Sequence, residues 1–264
     1  MDLPAEPIRA HAPQAHAALM AVLAARAALD VDLLDPRVEL FADQFGVDVS
    51  LVDDDMRRRF LEATGPTAFE VAQIVYVDDY WPRMAVVAAQ VLGDGRMLKE
   101  TIDRVPPTEL WPLVEEFQRQ VARLDALDPV TTELVRLRGA RQHECRLCKS
   151  RRSLAAIELG ADEATFDAVD RYADSDLAEH TKAALALTDA MIWTPYVLPP
   201  EVVETVNAHL APAQVVEVVL DIARNAANKI AVALGADAAT VTDGVELFRT
   251  DADGRITVVG PGHR

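Results

Sequence analysis

From Val47 to Gly235 the chain is written in helical units, opened by acidic residues or prolines and closed by glycines. Asp53-Asp54-Asp55 marks a helix start before residues 56–63, and Gly65-Pro66 ends that helix and opens the next. Phe69, Ala72, Val75 and Val77 begin a long apolar helix, with a kink or break expected at Trp81-Pro82. Residues 111–124 place Glu115, Glu116, Arg119 and Arg123 on the wet side of another helix. Asp128-Pro129 opens the next, and a helix led by a cysteine pair follows and runs to Gly160. Residues 162–172, 180–193, 201–210 and 215–234 complete the set. Pro4, Pro7 and Pro13 make the first residues irregular, and residues 247–264 read as a polar tail with a turn at Asp251-Ala252-Asp253-Gly254 and a short strand over 256–259.

Composition supports an all-α fold. Half of the residues are hydrophobic while aromatics are only 5%, which suits helices packed through Ala, Val and Leu rather than an aromatic-rich sandwich. That content excludes a disordered chain and suffices for a core. Gly93, Gly95, Pro106 and Pro107 suggest a boundary, dividing the chain into a helical N-terminal region (1–104), a second helical domain (105–247) and a polar tail (248–264). Residues 51–93 and 198–235 share one grammar, a helix, a proline break and a longer helix ending in glycine. The N-terminal region therefore reads equally as a degenerate half-repeat or as chance likeness.

A formal charge of −17 argues against nucleic acid and anionic lipid as partners. No apolar run approaches the ~20 residues that span a bilayer, and the Ala/Leu-rich stretch 17–29, interrupted by Arg26, reads as an ordinary helix. A cytoplasmic protein is expected. Two cysteines three residues apart cannot staple distant parts of a fold, so Cys145 and Cys148 point to catalysis or metal binding.

At i, i+3 on a helix, both thiols share one face and can join as a disulfide within the chain. From Arg136 to Arg152 there are seven basic residues against the single acid Glu144, a local balance of +6. Such an island favours the thiolate, the reactive form of cysteine. It also suits a solvated helix face or an anionic ligand. Half a zinc site has the same cysteine spacing, but His143, His180 and His209 supply no recognisable second half. An inert buried pair is the third alternative. Glu133, twelve residues before Cys145, is a candidate proton acceptor, although most helical glutamates are simply solvated. His143 reads as a surface or turn residue.

The run from Glu133 through Arg136, Gly139 and His143 to Cys145-Arg146-Leu147-Cys148 resembles the signature of the alkylhydroperoxidase D-like, carboxymuconolactone decarboxylase superfamily. Ala155-Ala156-Ile157-Glu158-Leu159-Gly160, residues 182–187, 215–220 and 225–230 continue the likeness, which covers roughly 110–245. The resemblance implies an all-helical, dimeric or trimer-based homo-oligomer needing neither cofactor nor metal. It also implies a thiol-dependent peroxidase-like oxidoreductase, with a hydroperoxide or other small molecule as substrate and a separate thiol as reductant. Mapped here, it makes Cys148 the peroxide-reducing thiol, Cys145 the resolving thiol and Glu133 the base. The family's relay histidine is replaced by Arg152, which cannot shuttle protons but could hold a thiolate or carboxylate one helical turn away. The alternatives are a cofactor-free lyase acting on a lactone acid and a non-enzymatic dithiol sensor.

Overall fold

The computed structural model describes residues 6–31, 33–93, 106 and 108–262. Apart from Pro106, the boundary expected at 94–107 lies outside the described residues. The fold is helical, as expected, with one small three-stranded sheet.

Pro4 lies outside the described residues, and Pro7 and Pro13 do not keep the chain irregular. Pro7 sits in the first turn of α1 (Glu6–His11), and Pro13 is the first residue of α2 (Pro13–Ala28). A first-turn residue has no intrahelical partner for its N–H, so proline loses nothing there. Asp35 caps α3 (Pro36–Val47), and Asp53 caps α4 (Asp54–Thr64) by accepting the Met56 N–H at 2.8 Å. Gly65, at φ 55°, ends α4 in a conformation that side chains disfavour.

α5 (Ala68–Leu92) runs through Pro82 without breaking. An interior proline costs about 3 kcal/mol. Trp81 and Met84 beside it are each 3% exposed, and burying one such side chain contributes about 1.5–3 kcal/mol. Burial wins, and the helix continues.

Asp128 caps α7 (Pro129–Gln142) through the Val130 and Thr131 N–H groups, after α6 (Leu110–Val121). The helix expected from the cysteines to Gly160 is instead three pieces: α8 (Arg146–Lys149), a strand β1 (Arg151–Ser153) and α9 (Leu154–Glu158). The cause lies far along the chain. β2 (Val245–Thr250) pairs parallel with β1 and antiparallel with β3 (Ile256–Gly262). The segment read as a polar tail, with its expected turn at 251–254 and strand from Ile256, is therefore a hairpin that draws residues 151–153 into its sheet.

Asp162 caps α10 (Glu163–Asp167), followed by α11 (Glu179–Trp193), α12 (Pro200–His209), α13 (Pro212–Ala226) and α14 (Lys229–Ala233). The single helix expected over 215–234 is interrupted at 227–228. There the Asn228 amide donates to the Asn225 carbonyl, a local bond that competes with helix propagation.

The regions on either side of residues 94–107 share one hydrophobic core, running from Ile8, Phe41 and Ile74 through Phe117 and Leu134 to Leu185 and Val219. Phe41 stacks on Phe60 at 3.7 Å between centroids. The two helix pairs of the internal echo, α4–α5 and α12–α13, both form, and the Tyr76 hydroxyl of α5 donates to the Ala223 carbonyl of α13 at 2.7 Å. No helix among the described residues is long and apolar enough to cross a membrane.

Candidate active site

Cys145 and Cys148 are joined as a disulfide, with their Cα atoms 5.3 Å apart. Cys145 is the N-cap of α8, and the Cys148 N–H points at its sulfur at 3.2 Å. The chain reverses into this loop at Glu144, whose φ of 53° is the one positive value outside glycine among the described residues. A non-glycine residue held there costs of order 1 kcal/mol, so the surroundings must over-determine the turn. The Glu144–Lys149 ion pair across the turn is one such restraint.

Asp237 is another, and spacing did not reveal it. Its carboxylate accepts the Arg146 N–H at 2.8 Å and the Arg146 guanidinium at 2.6 Å, while its carbonyl accepts the Leu147 N–H at 2.9 Å. The two residues between the cysteines are thus pinned by a residue 91 positions away. Burial works against the Asp237 charge, but the bonds from Arg146 prevail and hold its carboxyl below the usual range.

Glu133, 2% exposed, lies on the other side of the loop's anchor. It receives Arg136 in two bonds, at 2.6 and 2.7 Å, and the Ser153 N–H at 3.1 Å. Arg136 in turn donates to the Cys148 carbonyl at 2.9 Å and the Arg151 carbonyl at 2.8 Å, and its guanidinium lies 5.3 Å from the Phe248 ring centre. Among the described residues no hydrogen bond joins Glu133 directly to a sulfur. The carboxylate touches the cysteine loop by way of Arg136.

Arg152 does not sit one helical turn beyond Cys148, because it belongs to β1. Its guanidinium donates to the Lys149 and Arg151 carbonyls, pairs with Glu163 at 3.3 Å and lies over Phe166. His143, expected at the surface or in a turn, does lie in the turn that ends α7 but is buried there, with Nε2 at 3.3 Å from the Tyr80 hydroxyl. Burial, then the nearby Lys229 and Arg83 charges, holds His143 well below its usual titration range, so it is neutral.

The cationic island is local in sequence only. Arg138 pairs with Asp189, Arg141 with Asp167 and Asp170, Arg146 with Asp237, Arg151 with Glu246 and Arg152 with Glu163. With Arg136 on Glu133 and Lys149 on Glu144, all seven cations have acidic partners. The sulfurs therefore face no unpaired surplus of +6, and the hydrogen bond that one of them accepts comes from the backbone N–H of Cys148.

Comparison with known proteins gives two matches. The chain is 41% identical over 229 residues to "Uncharacterized protein Rv2313c" of Mycobacterium tuberculosis (strain ATCC 25618 / H37Rv), covering 83% of this chain and 79% of that protein. The same figures hold for "Uncharacterized protein MT2376" of Mycobacterium tuberculosis (strain CDC 1551 / Oshkosh). The chain belongs to their family. No protein-family model matches it, and no solved structure matches its fold.

A match over 83% of the chain leaves too few residues over to omit all of 1–104, so the likeness reaches into the N-terminal region. Chemically, the family member combines a closed dithiol with little access. Cys145 and Cys148 are 2% and 8% exposed and, with Ala140, form an apolar cluster apart from the main core. Two hollows flank the anchor. One of about 450 Å³ is lined by Arg141, Lys149, Arg152, Glu163 and Asp167. Another, of about 580 Å³, has Glu133, Arg136 and Arg224 in its wall.

Proposed function

We propose that the chain is a dithiol oxidoreductase that reduces hydroperoxides through Cys145 and Cys148. The observation that carries this reading is the disulfide itself, formed in a loop that Asp237 and the Glu133–Arg136 pair hold from outside. A disulfide spanning three residues restrains almost no chain, so structure alone gives little reason for it. In the proposed cycle the Cys148 thiolate attacks the distal peroxide oxygen, the O–O bond breaks and an alcohol leaves after protonation. The Cys148 sulfenic acid then loses water as the Cys145 sulfur attacks it and the disulfide forms. Two equivalents of an external thiol return the pair to dithiol and leave as a disulfide.

Glu133 enters this reading as a positioning residue. Both of its oxygens are occupied by Arg136 and Ser153, and what it fixes is the arginine on the Cys148 carbonyl. The test is a peroxide-dependent thiol titration of wild type, Cys145→Ser and Cys148→Ser. Wild type should lose two thiols per hydroperoxide, with a two-hydrogen loss on the monomer mass. Cys145→Ser should stop at a Cys148 sulfenic acid, and Cys148→Ser should react at the rate of a free thiol. A disulfide between chains, or equal reactivity in both variants, would sink the assignment. Oxidation of wild type without catalytic turnover by any added thiol would make the loop a sensor.

A further inference from the structure

Arg224, on α13, is a nearly buried cation with poor company. Its side chain is 12% exposed, and its one ion pair is Nη1 to Asp221 Oδ1 at 3.5 Å. Among the described residues this long contact with Asp221 is the guanidinium's one link to a protein acceptor, although arginine carries five N–H donors. The partner carboxylate is itself incomplete, since Asp221 Oδ2 is buried without a hydrogen bond. Arg136 beside it shows what a satisfied arginine looks like here, with two bonds to a carboxylate and two to carbonyls. Burying a guanidinium costs several kcal/mol unless its donors are met. No Arg224 nitrogen is among the fully buried unpartnered atoms of the described residues, so its spare donors keep solvent contact and are open to an acceptor from outside the chain.

Arg224 borders the cavity of about 580 Å³, within the ~300–1,000 Å³ range of small-molecule sites. Leu124, Leu127 and Phe248 supply apolar wall, and Thr132 and Thr250 supply hydroxyls. Asp125 and Asp128 also line it. Those two carboxylates repel a polyanion, so nucleotides and polyphosphates are poor candidates, whereas one negative charge can be placed on Arg224. We propose that this cavity binds a small organic monocarboxylate, its anionic group on Arg224 and its apolar body against Leu124, Leu127 and Phe248. Neither cysteine lines the cavity, and although the Glu133–Arg136 pair that anchors their loop is in its wall, the proposal rests on Arg224 and not on the peroxide chemistry.

The test is calorimetric titration of the full chain with hexanoate, benzoate and phenylacetate, each beside its primary amide. At least one carboxylate should bind saturably and about tenfold or more tighter than its amide, as expected for a bond to a charged group. Arg224→Gln should erase that preference. Arg224 also borders a hollow of about 380 Å³ with Arg119 and Arg255. Ala155→Trp, which fills only the larger cavity, should therefore abolish binding with the arginine intact. The double variant Cys145→Ser/Cys148→Ser should bind as wild type does, whatever becomes of the thiol reading. Equal affinity for every acid and its amide, a preference kept in Arg224→Gln, or binding kept in Ala155→Trp would each overturn the proposal. Should Arg224→Gln fail to fold by circular dichroism, the outcome with Ala155→Trp decides.

Discussion

Glu133 and Asp237 hold the cysteine loop by different means, and the difference is measurable. Glu133→Gln keeps shape and one acceptor but leaves Arg136 without its ionic partner, buried at 13% side-chain exposure. Removing one partner of a buried pair costs about 3–5 kcal/mol, and the retained amide should bring the loss toward the lower figure. If the role is positioning, peroxide-driven disulfide formation should slow by less than the ~10²–10⁴-fold typical of a lost general base. Stopped-flow oxidation beside thermal unfolding checks both. A large rate loss at unchanged stability would return Glu133 to the role of base. Asp237→Ala should cost about 1.5–3 kcal/mol for charged hydrogen bonds lost in a buried place. It should also speed hydrogen exchange at the Arg146 amide, whose acceptor is the Asp237 carboxylate, whereas Leu147 keeps the backbone carbonyl of residue 237. Unchanged protection there would show that Asp237 is not what fixes the loop.

At the scale of elements, the C-terminal hairpin is part of the site's frame. β2 turns the residues after Cys148 into a strand, Glu246 pairs with Arg151 and Phe248 covers Arg136. The hairpin is docked at its tip, where Gly254 has φ 77° and a Cβ would stand 2.2 Å from the Arg119 carbonyl oxygen of α6. Gly254→Ala thus meets backbone, in a conformation that already disfavours a side chain. We expect a loss of at least about 2 kcal/mol and faster exchange across β2 and β1, measured by thermal unfolding and amide exchange. Stability within error of wild type would mean that the tip contact contributes nothing.

For the whole molecule, buried acids on α13 set a pH dependence. Burial and then the charge of Asp221 push the Glu217 carboxyl up to about 7, although it accepts the Ala126 and Leu127 N–H groups. Burial likewise raises Asp221 to about 6, against the pull of Arg224. At these two carboxyls the folded state binds more protons between the unfolded values and the raised ones, so their contribution to stability falls as pH rises from about 4 to about 7. Buried neutral His143 works in the opposite direction. Glu217→Gln stays neutral and can still accept a backbone bond. Its melting temperature relative to wild type should therefore rise between pH 5 and pH 8. A difference that is flat, or that shrinks with pH, would contradict the buried-acid account.

Local sequence determined most of the helices and their starts. Asp53, Asp128 and Asp162 cap the helices that follow them, because a cap is satisfied by N–H groups two or three residues away. The cysteine spacing likewise determined that a disulfide within one chain was possible, since the two sulfurs share a single short loop. Where a partner lies far along the chain, the tertiary structure decided. β1 is a strand because β2 is there to pair with it, and Pro82 remains in a helix because the core buries both its neighbours. The seven cations lose their surplus because folding brings acids such as Asp189, Asp237 and Glu246 from up to 95 residues away, where no local charge count reaches. Helix caps and turns close over a few residues and are legible in order. Buried charge must be matched in space, and only the folded chain shows what matches it.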